Sequence, residues 1–319
     1  LDEPNIQTFL QNFSGRHSGY RVLGCGLGRL LVHSKLKRLF ILDGYYHIFR
    51  AYYAPMGMRM ISPTGEPTSA TYMFVVSLLK LIRDQEPDAL VVAMEGGSKT
   101  FRAELYPEYK KTRSHPPDDF AIQKNRIMQI LNVMHIPILW FRGYEADDII
   151  GTLCKRAYTT EYETIICSND KDMYQLLNDR TCMYNVSTCT YMDVEDMVEK
   201  TSIQPCEFID YLALQGDGSD NIPGLPNVGA KTAAKWIHKY GSIKNLLKHV
   251  DEVKGRHNST LKENKELLLL YKKLVTIECD VPIHTDFDNF DLQEYDNDKL
   301  LEIFEELQFN QLILNMGLD

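Results

Sequence analysis

Acidic residues fall just beyond several short apolar runs of this 319-residue chain. Asp43 follows Phe-Ile-Leu, Glu95 follows Val-Val-Ala-Met, and Asp170 and Asp172 follow Ile-Ile-Cys-Ser-Asn. Glu145, Asp147 and Asp148 follow Ile-Leu-Trp-Phe-Arg-Gly-Tyr. One acid in such a place is ordinarily a helix cap or a turn former. Seven that converge would repel one another, and divalent cations held by oxygen are the usual way to neutralise such a crowd. No Cys or His clusters alongside, so hard ions such as Mg²⁺ or Mn²⁺ are favoured over zinc. Asp217 and Asp220, three apart on a helical turn, face the same way and would join the site.

Convergence requires elements that bring these positions to one edge. Apolar runs at Leu39 to Leu42, Ala89 to Met94, Pro137 to Phe141, Thr164 to Cys167 and Cys182 to Val186 alternate with longer amphipathic, helix-like stretches. That alternation predicts βαβ units and an α/β fold with a doubly wound, largely parallel sheet. Ligands of such sheets gather beyond the carboxyl ends of the strands, where the acids lie. Beyond Thr201 the strand signals fade and the chain reads as helical. There, Leu212 to Ala234 ends one helix, turns on Gly and Pro, and launches another at Ala230.

Gly224 to Thr232 comes close to a nucleotide phosphate loop, but Ala230 separates Gly229 from Lys231 and no strand precedes it, which excludes an ATPase at this point. A glycine hairpin at a helix N-terminus can still hold a phosphate oxygen on its backbone N–H groups, including one from a DNA backbone. Lys231, Lys235, Lys239, Lys244 and Lys248 follow at gaps of four or five, with no acid between Asp220 and Asp251. Such gaps gather positive charge near one helical face. The plain alternative is a solvated face.

This local basic surface matters because the whole chain carries 35 Lys plus Arg against 44 Asp plus Glu, a net charge of −9 that taken alone argues against a polyanionic partner. Apolar content of 44% with 25% charge is that of a globular chain with a real core, and no apolar run approaches the ~20 residues needed to cross a bilayer. Seven cysteines, none in a Cys-x-x-Cys pair, write neither a disulfide framework nor a common zinc site, and point to a reducing, intracellular compartment. Residues 16–38 contain no acid but several Arg and Lys among Leu, Gly and Ser, a composition like an organellar transit sequence; Asp2 and Glu3 argue against it. The chain begins at Leu1 rather than Met, which reads as trimming or processing. A mitochondrial or plastid-like organelle and a bacterial cytoplasm both stay open as compartments.

The motifs in order are Phe40-Ile-Leu-Asp-Gly with Phe49-Arg-Ala-Tyr, Lys99-Thr-Phe-Arg, Tyr109-Lys110, Gly143-Tyr-Glu-Ala-Asp-Asp, Asp170-Lys-Asp-Met, and Gly216-Asp-Gly-Ser-Asp-Asn-Ile-Pro-Gly-Leu-Pro-Asn-Val-Gly-Ala-Lys-Thr-Ala. From about Arg38 to about Leu314 the chain resembles the 5′ nucleases, or flap endonucleases, and within them the 5′→3′ exonuclease domain of bacterial DNA polymerases. The resemblance implies a PIN-like α/β catalytic domain over 39–205, with a helical arch at about 97–125. It also implies a helical region over 206–319 carrying a helix-hairpin-helix element, after an extension over 1–38.

By that resemblance Asp43, Glu95, Glu145, Asp147 and Asp148 make a first metal site and Asp170, Asp172, Asp217 and Asp220 a second, holding two or more Mg²⁺ or Mn²⁺ ions. The family usually has Asp where this chain has Glu95, and the extra methylene pushes that carboxylate outward. The implied reaction is hydrolysis of a DNA phosphodiester by two-metal chemistry in replication and repair, leaving a 5′-phosphate. Lys99 and Arg102, three apart on a helix, are expected to face the scissile phosphate, with Asp147 and Asp170 at the reacting centre. Tyr106 and Tyr109 are expected to stack on bases while Lys110, Lys111 and Arg113 hold phosphates, and Arg50 lies near the substrate end. Gly224, Val228, Gly229, Lys231, Thr232 and Lys235 are the expected duplex contacts, with K⁺ at the hairpin carbonyls. The expected partner is DNA with a 5′ flap, nick or end, bound by a monomer without a membrane. The competing readings are a junction-binding protein with a weakened site, for which Glu95 argues, and an RNA-processing nuclease on the same fold.

Overall fold

The computed structural model describes residues 36–55, 59–97 and 99–318. The targeting segment expected from composition lies, up to residue 35, outside the described residues. At the centre is β1 (Lys37–Asp43), flanked by β2 (Ala89–Ala93) and β3 (Ile138–Leu139) on one side and by β4 (Tyr162–Cys167), β5 (Thr181–Asn185) and β6 (Thr190–Met192) on the other. The sheet order is β3-β2-β1-β4-β5-β6, and every pairing is parallel except β5 with β6. Asp43 pairs with Ala93 and Leu42 with Cys167, so β1, β2 and β4 end level with one another. The chain order reverses direction across β1, and in doubly wound sheets ligands bind beyond the strand ends at such a point. The expected strand at Pro137 to Phe141 shortens to two residues because Trp140 is exposed as the chain leaves the sheet. The polar hairpin strand β6 carries no alternation long enough to foresee.

Thirteen helices surround the sheet among the described residues. They are α1 (Gly44–Tyr52), α2 (Ser69–Gln85), α3 (Phe101–Leu105), α4 (Asp118–Val133), α5 (Ala146–Ala157), α6 (Val194–Thr201), α7 (Pro205–Gln215), α8 (Ala230–Tyr240), α9 (Ile243–Lys248), α10 (Arg256–Glu263), α11 (Lys265–Val275), α12 (Asn297–Glu306) and α13 (Asn310–Met316). Successive β1 residues point to opposite faces, and both faces are covered. Leu39 and Ile41 pack with Ile149, Ile150 and Leu153 of α5, in a core continuous with Leu212 of α7 and Ile237 of α8. Phe40 and Leu42 pack with Val75 of α2, Ile127 of α4, and Phe304 and Leu312 from α12 and α13. The last two helices therefore return to the sheet after the helical region. Between α3 and α4, residues 106–117 run without regular helix, so the segment expected as a helical arch over about 97–125 is helical only at its two ends. No described helix is long and apolar enough to cross a membrane.

Candidate active site

Asp43 ends β1 and caps α1, accepting from the Tyr46 N–H at 3.0 Å and from the Ser168 hydroxyl at 3.0 Å. Burial pushes its carboxyl up to about 6, with Asp170 and Glu95 adding to the shift. Asp147, in the first turn of α5, is raised well above the ordinary range by burial and then by Asp43, while Lys110 opposes. Glu95 follows β2 at the rim of the cleft; desolvation raises its carboxyl, Lys110 opposes, and Glu145 and Asp220 add. Asp170 caps the 3-10 turn after β4 and accepts from the Asp172 N–H at 3.0 Å. These side chains act on one another across the carboxyl edge of the sheet, as the spacing of strand ends predicts.

Among the described residues, Asp172, Asp217 and Asp220 form a close group, each offering a carboxylate oxygen within 4.8 Å of the others. Desolvation raises Asp172 well above its usual range, followed by repulsion from Asp170, Asp217 and Asp220. Burial pushes Asp217 up too, but the Ser219 hydroxyl and Lys171 outweigh it and the net shift is downward. Asp172 Oδ1 is buried without a hydrogen-bond partner. Three neighbouring carboxylates, one of them on a residue with an orphaned buried oxygen and with no sulfur or imidazole in the set, fit a hard divalent cation.

Basic and phenolic groups enter this cleft from residues 106–117, in a manner the sequence reading did not foresee. Tyr109, expected to stack on bases, is buried with its hydroxyl between Glu145 at 2.9 Å and Asp220 at 2.8 Å, which share its single proton. Burial first, then these two carboxylates, pushes the phenol far above its usual range. Lys110 donates to Glu145 at 2.8 Å, and Arg113 pairs with Asp220 at 2.7 Å. Burial would lower the Lys110 ammonium, but Glu145 and Asp220 outweigh it and hold it charged. Tyr106 packs edge-on against Tyr271, and Lys111 is exposed beside Glu108.

Arg102 and Asp148 also differ from expectation. Lys99 is exposed before α3 begins, whereas Arg102 is 2% exposed and turned inward, so the two do not share one outward face. Its guanidinium grips both Asp148 oxygens, at 2.7 and 2.8 Å, because a buried fork of donors requires a planar anion. Asp148 is fully buried. Lys110, placed by sequence among the phosphate contacts, is the cation that the fold sets against Glu145; its only signal was the adjacent Tyr109.

At the hairpin, Gly216 (φ +85°) and Gly224 (φ +69°) press backbone to backbone: a Cβ on Gly224 would lie 2.4 Å from the Gly216 nitrogen. Gly224 and Val228 are buried, so they shape the turn, while Gly229, Lys231 and Lys235 are exposed and Thr232 half-buried around the first turns of α8. Arg50 sits in the last turn of α1.

An all-oxygen acidic cleft at the carboxyl edge of a doubly wound sheet, beside a glycine hairpin that opens a basic helix, defines the nuclease class of α/β proteins. A family model described as the 5′-3′ exonuclease N-terminal resolvase-like domain matches residues 38–202, and one described as the 5′-3′ exonuclease C-terminal SAM fold matches residues 203–298. The chain belongs to the 5′-3′ exonuclease family. It is 38% identical over 278 residues to DNA polymerase I of Mycobacterium tuberculosis, a match covering 86% of this chain and 31% of that protein. To DNA polymerase I of Bacillus subtilis it is 35% identical over 289 residues, covering 89% of this chain and 32% of that protein. The chain thus spans about a third of the length of these relatives. Its fold is shared with the bacteriophage T5 flap endonuclease in a complex with DNA and metal ions, at a TM-score of 0.66 and 22% identity over 84% of this chain and all of that one.

Proposed function

We propose that this chain is a divalent-metal-dependent 5′→3′ exonuclease and flap endonuclease that hydrolyses DNA phosphodiesters, leaving a 5′-phosphate. The observation that carries the reading is the Asp172, Asp217 and Asp220 group with its unpartnered buried oxygen, at the edge where Asp43, Asp147 and Asp170 also crowd. Bound there, Mg²⁺ or Mn²⁺ would activate water and neutralise the charge that develops on the phosphate. Asp43, Glu95, Glu145 and Asp147 would serve one ion and Asp170, Asp172, Asp217 and Asp220 the other.

The chain's own residues do the rest. Lys110 and Arg113 lie within reach of the same carboxylates and are placed to meet a phosphate delivered to them. The exposed N-terminal turns of α8, with Lys231 and Lys235, would grip the duplex through its phosphates, and K⁺ at the hairpin carbonyls would add to that contact. Selection would then rest on DNA shape, with a 5′ flap as the substrate form; the complex of the similar T5 flap endonuclease with DNA supports a DNA substrate. The test is a 5′-flap duplex labelled on the flap, incubated with Mg²⁺ or with EDTA. Release of a short 5′-labelled product only with Mg²⁺ supports the reading. An uncut flap with tight binding would leave a junction-binding protein, and preferential cleavage of an RNA flap would leave an RNA nuclease.

A further inference from the structure

The Arg102 guanidinium spends all of its hydrogen-bonding capacity inside the protein. Five contacts match its five N–H groups: Nε to the Leu274 carbonyl at 2.8 Å, Nη1 to Glu145 at 3.2 Å and Asp148 at 2.8 Å, and Nη2 to Asp148 at 2.7 Å and the Thr276 carbonyl at 2.7 Å. Nothing is left over for a substrate phosphate. Asp148 is saturated in the same way. Its Oδ1 accepts from Arg102 and from the Glu278 N–H at 2.9 Å, and its Oδ2 from Arg102 and from the Glu145 N–H at 3.0 Å. Two donors on each oxygen fill the four lone-pair positions of a carboxylate, leaving none for an ion.

We infer that Arg102 and Asp148 form a buried positioning pair, so that neither touches metal or DNA. The pair locks the first turn of α5, which presents Glu145 and Asp147 to the cleft, onto the carboxyl end of α11. The carbonyls of Leu274 and Thr276 lie at the end of α11, where a helix leaves its last acceptors open and favours a cation. Lys272 of α11 in turn pairs with Asp210 of α7 at 2.6 Å, and α7 leads into Gly216 and Asp217. Arg102 therefore sits where the helical region that carries Asp217 is registered against the turn that carries Glu145 and Asp147. A lysine would preserve the charge but not the planar fork that reaches three carboxylate oxygens and two carbonyls together.

This inference rests on the metal-dependent reading above, and its test separates the two. Mn²⁺ equivalents are counted by paramagnetic resonance in wild type, Asp148→Asn and Asp147→Asn, and the Mg²⁺ dependence of cleavage is compared for wild type and Arg102→Lys. Asp148→Asn is expected to keep every Mn²⁺ equivalent, whereas Asp147→Asn loses one. Arg102→Lys is expected to need about 10–100-fold more Mg²⁺ for half-maximal cleavage, as partners behind metal ligands typically do, with flap affinity in Ca²⁺ unchanged. Loss of an equivalent in Asp148→Asn would overturn the inference, since that residue would then be a ligand. So would an Arg102→Lys protein with lowered melting temperature but wild-type Mg²⁺ dependence, which would mark a structural role alone. Should Arg102→Lys fail to fold, the Asp148→Asn count decides. A wild type that binds no Mn²⁺ would sink the metal reading itself.

Discussion

Buried carboxylates crowded against one another disclose their purpose through protonation. Asp43 is raised to about 6, and Asp147 and Asp172 are raised as well, burial being the largest cause in each. A carboxyl raised in the folded state holds more protons folded than unfolded between its ordinary 3.8 and about 6. Its stabilising contribution is full below the lower value and is lost as pH rises through the upper one, about 3 kcal/mol for Asp43 alone. Divalent ions reverse that loss, so the rise in melting temperature on adding Mg²⁺ should be small at pH 5 and large at pH 8. An equal rise at both would contradict the account. Lys110, held charged against Glu145, should matter to turnover more than to grip. Lys110→Ala is expected to lower the cleavage rate on the order of 100-fold while duplex affinity stays within twofold, measured by single-turnover kinetics and fluorescence anisotropy. Equal losses of both would make Lys110 a general DNA-binding contact and not a group acting at the reacting phosphate.

The elements were legible where their period was strong. β1, β2 and β4 are short apolar runs bounded by turn signals, and their parallel order follows from the helices between them, which is why the acids at Asp43, Glu95 and Asp170 could be placed at one edge from spacing alone. The inward turn of Arg102 and the saturation of Asp148 were not legible, because their partners are backbone groups at 274–278, far along the chain. Tyr109 and Lys110 lie in an irregular segment whose pattern predicts exposure, and only tertiary docking buries them. The hairpin shows the same division: its glycines mark a turn, but the structure separates their tasks. Gly224→Ala forces a Cβ into backbone at positive φ and should cost about 2 kcal/mol or more, with loss of duplex binding. Gly229→Ala meets nothing within 4 Å and should cost far less. Urea denaturation of both variants checks this, and equal stability would refute the tight Gly216–Gly224 contact as the reason for the glycine.

At the level of the whole molecule, the catalytic edge and the hairpin are joined by a chain path that doubles back. After α11, residues 276–283 run along α5, where Arg156 donates to the carbonyls of Val281 and Ile283, and Gln175 bonds to Val275 and Ile277. The chain then crosses to the opposite face, where Phe304 is fully buried beside Phe309 and shares a core with Phe40. The sheet is thereby clasped on both faces by helices from the far end of the sequence. Phe304→Ala should destabilise the protein by about 3–5 kcal/mol in urea denaturation without changing the Mn²⁺ equivalents bound by the native state. Loss of ions in the folded variant would show that the two faces are not independent.

The central claim is that acids from separate strand ends form one ion-holding cleft. Anomalous scattering from crystals grown with Mn²⁺ tests it most directly. The account predicts one peak among Asp172, Asp217 and Asp220 and another beside Asp43 and Asp147, with none in contact with Asp148. Peaks confined to the protein surface, or none at all, would contradict it.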